Sequence, residues 1–127
     1  MILENEMMIT KYTYDVEVVS VYDGDTIRVN IDLGFGHIWK GNDGKGVKIR
    51  LFGINTPEVR GEEREEGLKS KQYLIGLLSG ERVVLKTRRD KTGKYGRYLG
   101  ELFIQKDERQ WMNINKTLVK EGYAEHY

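Results

Sequence analysis

The chain has 127 residues, 39% hydrophobic and 32% charged. That balance excludes disordered and fibrous classes and fits a single globular domain. The formal net charge of +1, from 21 basic and 20 acidic residues, gives no whole-chain case for a polyanionic partner, and the absence of cysteine excludes disulfides, thiolate metal sites and cysteine nucleophiles.

Residues 1–11 carry Glu4 and Glu6 and lack both a basic start and a continuous apolar run. They are expected to form a loosely ordered arm, not a secretory signal, ahead of a domain spanning 12–127. No apolar stretch reaches membrane-spanning length, a monomer is expected, and the compartment stays open. From Tyr12 a strand signal begins, with Tyr14, Val16, Val18 and Ser20 alternating with Asp15, Glu17, Val19 and Val21. Asp23-Gly24-Asp25 is a turn. Ile27, Val29, Ile31 and Leu33 then alternate with Thr26, Arg28, Asn30 and Asp32, which completes a hairpin.

Residues 34–46 contain five glycines with Asn42 and Asp43, and read as a long flexible loop bearing His37, Ile38 and Trp39. Val47 to Ile54 returns to strand and ends before Thr56-Pro57, since proline cannot donate to a ladder. The period changes over Glu62 to Leu78. Leu68, Ile75 and Leu78 share one helical face with Leu74 and Leu77 beside it, and glutamates crowd the first turns, where the helix dipole favours them. Gly80 stops the helix. Strands are expected at Glu81 to Arg88 and Tyr98 to Ile104, with a turn at Asp90 to Gly96 between them. A second helix follows, capped by Asn113 or Asn115, with Ile114, Leu118 and Val119 inward and Gly122 at its end. The order β-β-β-α-β-β-α places the chain in the mostly-β part of the α+β class. It suggests a five-stranded Greek-key barrel of the OB type with two helices.

Three segments stand at strand ends or turns: Asp23 to Thr26, Arg50 to Glu58, and Lys94-Tyr95-Gly96-Arg97. On a closed barrel such ends can converge on one rim. Phosphodiester cleavage needs arginines for the charge building on the phosphoryl oxygens, oxygen ligands for a hard cation, and a carboxylate for water. Arg50 and Arg97, Asp25, and Glu58 supply these in turn. Taken singly, Asp23-Gly24-Asp25 is a hairpin turn, Arg50 a solvated strand residue, and Glu58 the start of a helix. Together and in order, they point to a reaction centre. The acidic run Glu62 to Glu66 reads as a solvated helix start, His37 and His126 as incidental, and Trp111 and Met112 as packing.

These segments resemble the staphylococcal nuclease (thermonuclease) family, over about Tyr14 to Tyr127. The motif-bearing pieces are Asp-Gly-Asp-Thr at 23–26, Arg-Leu-x-Gly-Ile-x-Thr-Pro-Glu at 50–58, Lys-Tyr-Gly-Arg at 94–97 and Leu-Val-x-x-Gly-x-Ala at 118–124. The resemblance implies a calcium-dependent nuclease acting on DNA and RNA, breaking the 5′ P–O bond and leaving 3′-phosphorylated ends. It implies Asp25, Asn55 and the backbone carbonyl of Thr56 as metal ligands, and Arg50 and Arg97 on the scissile phosphate. Glu58 would be the general base or at least the water-orienting group. Lys94 and Tyr95 would contact a neighbouring phosphate, and Tyr127 would lie near a bound base. The chain ends soon after its second helix, where the best-known members continue into a third.

One departure stands out. The family usually has aspartate where this chain has Asn55, which keeps a carbonyl oxygen for calcium but loses a negative charge. That loss favours a rival reading as an OB-type nucleic-acid-binding module without chemistry. A protein-interaction module is also compatible with the near-neutral charge. Asn55→Asp is expected to raise apparent metal affinity. Titrating calcium against activity for both proteins checks this, and equal midpoints would count against it.

Overall fold

The computed structural model describes residues 12–88 and 98–127. The N-terminal arm and the candidates Lys94, Tyr95 and Arg97 lie outside the described residues. In chain order the elements are β1 (Thr13–Asp23), β2 (Thr26–Gly34), β3 (His37–Trp39), β4 (Val47–Leu51), β5 (Ile54–Asn55), α1 (Arg64–Leu78), β6 (Val83–Arg88), β7 (Tyr98–Gln105), β8 (Trp111–Asn113), α2 (Ile114–Lys120) and β9 (Glu125–His126).

Five of these strands close into a barrel in the circular order β1-β2-β4-β7-β6. Every neighbouring pair is antiparallel except β4 and β7, which run parallel with Arg50 opposite Leu99. That is the OB-type arrangement expected from the element order. The period-two pattern explains the interior. Ile27, Val29 and Ile31 of β2 are buried, as are Val47, Ile49 and Leu51 of β4 and Leu85, Leu102 and Ile104 of β6 and β7. Each such side chain contributes roughly 1.5–3 kcal/mol of burial. Leu33 shares the β2 pattern but is 51% exposed, because β2 outruns the barrel wall.

The stretch 34–46 is not wholly loop. His37–Trp39 pairs with β2, and the intervening turn passes through Gly34, Phe35 and Gly36 at positive φ. The Trp39 ring packs edge-on against Tyr98 at 5.7 Å. The strand expected over 47–54 breaks at Phe52-Gly53 into β4 and β5, and β5 leaves the barrel to pair with β9.

α1 begins two residues later than expected, after a 3-10 turn at Gly61–Glu63. Its buried face is also rotated. Gly67, Ser70, Leu74 and Leu78 face inward, whereas Ile75 is 36% exposed and Leu68 half-buried. Small residues decide this. A Cβ on Gly67 would collide with the Glu58 carbonyl, and one on Gly24 would sit 2.9 Å from Cβ of Ser70. The helix therefore approaches the chain along its small-residue face, and Leu74 and Leu78 follow into the barrel mouth.

α2 is capped by Asn113, whose side chain accepts from Lys116 N at 3.1 Å. Asn115 has another role. Its buried amide bonds to Leu102 N and to the carbonyls of Phe52 and Gly100, pinning α2 to the barrel. Gly122, at φ +84°, turns the chain after α2. Trp111 and Met112 are buried, as the packing reading requires. No helix among the described residues is long and apolar enough to cross a membrane.

Gly67→Ala is expected to cost about 1–3 kcal/mol through overpacking against the Glu58 carbonyl. Urea unfolding measures this directly, and an unchanged midpoint would show that α1 is free to shift.

Candidate active site

Asp25 stands where β1 turns into β2, and its groups reach three chain segments. Its backbone oxygen accepts from Leu51 N at 2.8 Å, at the end of β4. Oδ2 accepts from Thr56 N at 2.9 Å, and Oδ1 accepts from the Thr26 hydroxyl at 3.1 Å. Strand pairing sets Arg50 opposite Thr26, so the guanidinium meets this carboxylate, Nη1 to Oδ2 at 3.4 Å.

Arg50 is held as firmly. Nη1 donates to the Leu51 and Ile54 carbonyls at 3.0 and 2.9 Å, and Nη2 donates to Asn55 Oδ1 at 3.1 Å. Among the described residues, Nε–H and the second Nη2–H have no protein acceptor. The fork is thus fixed in orientation with two donors left for a ligand. Asn55 fits this bracing role, because its neutral amide oxygen receives the arginine without adding charge.

Asp23, which the sequence reads as part of a turn, joins the candidate site. Two irregularities of β1 bring it in. Val18 pairs with Val29 but Ser20 with Arg28, and Val21 pairs with Ile27 but Asp23 with Thr26, so Val19 and Tyr22 are each left unpaired. Such bulges shift the alternation of a strand. Asp23 is consequently buried, and its Oδ1 accepts from Asp25 N at 3.0 Å. Burial, then the hydrogen bond and charge of Asp25, and more weakly the charge of Glu58, push its carboxyl up to about 7. The repeated Asp-x-Asp spacing was the available signal, since two carboxylates two residues apart at a strand end share a face once the turn is tight.

Glu58 lies with Asp23, Asp25, Arg50 and Asn55 along one open cleft of about 1370 Å³. It is exposed, and α1 supports its backbone through the Gly67 contact. The C-terminal segment completes the rim. Ser70 Oγ donates to the Tyr123 carbonyl at 2.7 Å, the Tyr73 and Tyr123 rings stack at 4.0 Å, and Tyr127 N donates to Gly53 O at 2.9 Å. Tyr127, 87% exposed, is thereby brought to Arg50, whose Cζ lies 5.7 Å from its ring centroid.

Residues 48–127 match the family described as staphylococcal nuclease homologue. The chain belongs to that family. Among curated relatives of this staphylococcal nuclease homologue is the uncharacterised protein MJ1439 of Methanocaldococcus jannaschii, 31% identical over 90% of this chain and 59% of that protein. Endonuclease YhcR of Bacillus subtilis is 30% identical over 90% of this chain and 9% of its own length. Thermonuclease of Staphylococcus hyicus is 28% identical over 85% of this chain and 56% of its own. The chain thus spans little more than half of two of these relatives and a small part of the third.

Of the residues singled out in the sequence, the fold brings Asp25, Arg50, Asn55, Thr56, Glu58 and Tyr127 to one cleft or its immediate lining. His37 is exposed on β3, and His126 is exposed on β9.

The raised Asp23 carboxyl has a consequence for stability. It holds its proton to higher pH in the folded state than in the unfolded chain, so this group's contribution is greatest in acid. That contribution declines as pH rises from the ordinary aspartate value of 3.8 towards about 7. In chelator, Asp23→Asn is therefore expected to gain stability over the natural chain at pH 8 relative to pH 4. Urea midpoints of both proteins at the two pH values check this, and a constant difference would refute it.

Proposed function

We propose that this staphylococcal nuclease homologue is a divalent-metal-dependent nuclease that hydrolyses phosphodiester bonds of DNA or RNA, with calcium as the cation. One observation carries the reading. Two buried aspartates, a braced arginine and an exposed glutamate line one open cleft.

The donor set fits a hard cation. Asp25, Asp23, the Asn55 amide oxygen and the chain at Thr56 are all oxygen donors. Among the described residues Thr56 Oγ1 is buried without a hydrogen-bond partner, and burial, with the neighbouring Asp25 carboxylate, lifts the Asp23 proton affinity. A cation held by Asp25 and Asp23 would offset the charge that burial disfavours at Asp23. Such a cation would polarise the scissile phosphoryl group as a Lewis acid.

The rest falls to the protein. Glu58 accepts a proton from water, or orients it, as the water oxygen attacks phosphorus. The free donors of Arg50 meet the equatorial oxygens, where charge accumulates. Arg97, outside the described residues, is assigned the second guanidinium on its motif. It directly precedes Tyr98 and Leu99, which pair with Ile49 and Arg50. The P–O5′ bond breaks, leaving a 3′-phosphate and a 5′-hydroxyl.

A binding module without chemistry is the second reading. It is favoured by the neutral Asn55 and by the lack, among the described residues, of any group of three or more acidic or imidazole side chains able to hold a metal. One assay separates the two. The full chain is incubated with single-stranded DNA and with RNA, with calcium, manganese or chelator, beside Glu58→Gln and Arg50→Ala. Each variant is expected to lose about 10²–10³ in rate, the scale for one preorganised charge group, with Glu58→Gln keeping its fold by circular dichroism. Cleavage indifferent to chelator and to both substitutions would belong to a contaminant.

A further inference from the structure

The cleft extends beyond the residues the chemistry uses. Tyr22, Arg60 and Lys71 also line it, and among the described residues none of their side chains hydrogen-bonds or ion-pairs with Asp25. Tyr22 is the unpaired residue of the second β1 bulge, between half-buried Val21 and buried Asp23. The bulge thus does two things at once: it buries Asp23 and turns Tyr22 towards the open cleft. Tyr22 is 48% exposed, and the only cation placed over its ring among the described residues is Arg60, with Cζ 5.9 Å from the centroid. Side chains of Arg60, Lys71 and nearby Lys48 form no ion pair with any described residue, unlike Arg28, which pairs with Asp43 at 3.3 Å.

A half-open tyrosine in a cleft with unpaired cations is poorly explained by packing. Its flat face matches a nucleobase, which has an equivalent π-face whatever its sequence. The Arg60 guanidinium can back the ring while its donors hold a phosphate, the pairing by which single strands are gripped without readout. A second arginine–tyrosine pair lines the same cleft, where Arg50 lies against Tyr127.

We propose that Tyr22 and Arg60 form a second nucleobase subsite. It takes the base of the nucleotide adjoining the one held at Arg50 and Tyr127. The subsite rests on the nuclease reading above and extends it, because cleavage would then require a strand with bases on both sides of the scissile phosphate.

The test is binding of a fluorescein-labelled single-stranded oligonucleotide in chelator, followed by anisotropy, so that no cleavage is needed. Tyr22→Ala and Arg60→Ala are each expected to weaken binding about tenfold, and Tyr22→Phe, which keeps the ring, to stay within about twofold, given what stacking contributes per base. For a nucleoside 3′,5′-bisphosphate, which carries one base, the natural chain and Tyr22→Ala are expected to bind alike. If Tyr22→Ala does not fold, Tyr22→Trp gives the readout instead: oligonucleotide must quench its added indole fluorescence, and the bisphosphate must not. Equal oligonucleotide affinity in a folded Tyr22→Ala, equal weakening towards the one-base ligand, or no quenching in the tryptophan variant overturns the subsite. A natural chain that cleaves yet shows one of these results loses only the subsite. One that neither binds nor cleaves any strand loses the nuclease reading with it.

Discussion

Asp25 is the residue on which the cleft depends. A carboxylate buried in a barrel rim is tolerable only when its oxygens are hydrogen-bonded and its charge is faced. Here the loop of Thr56 and the side chain of Thr26 satisfy the oxygens, and Arg50 faces the charge. Its main chain binds the end of β4 and the side chain of Asp23 as well. The β1–β2 hairpin, β4 and the loop to Glu58 are therefore held in register by one residue. The scaffold and the candidate reaction centre share the same bonds, so a change at Asp25 would move Arg50 and Thr56 together and not merely remove a ligand.

A second constraint is the nearness of α1. Gly24, Gly67 and Ser70 let the helix lie against the hairpin turn and the Glu58 backbone, where larger side chains would hold it off. Those small residues place Glu58 at the cleft, and through Ser70 they also hold the C-terminal segment that carries Tyr127. Helix packing and site assembly are thus coupled through a strip with little apolar area. The burial that stabilises the helix comes from Leu74 and Leu78 a turn or more further along.

That coupling explains what was legible in the sequence. The alternation of Ile27, Val29 and Ile31 identified β2, because one face of that strand is buried and the other is not. The segment order implied the barrel, and the motif spacing brought Arg50, Asn55, Thr56 and Glu58 together. The rotated face of α1 was not legible, because apolar periodicity points to Ile75 while the closest approach is made by glycine and serine, which carry no hydrophobic signal. The bulges at Val19 and Tyr22 were hidden for a similar reason: β-branched and aromatic residues suit a strand whether or not they are paired. Without the bulges Asp23 reads as a turn residue. β3 was concealed by the glycines that let its hairpin turn.

Charge placement also resolves how a chain of net charge +1 could serve a polyanion. The acids Asp23, Asp25 and Glu58 line the cleft together with Lys48, Arg60 and Lys71, which form no ion pair among the described residues. A phosphate in the cleft meets carboxylates as well as Arg50, and in the absence of a cation those carboxylates oppose it. In the proposed nuclease, cation and phosphate would therefore each raise the affinity for the other, a coupling that must be reciprocal. The neutral Asn55 lowers the charge that a cation alone encounters, which places more of the cation's binding energy on the substrate oxygens. A site built this way would hold its metal weakly when empty of substrate and firmly once the strand is in place. Those three basic side chains, which attract phosphate by themselves, would make the strand the partner that recruits the ion.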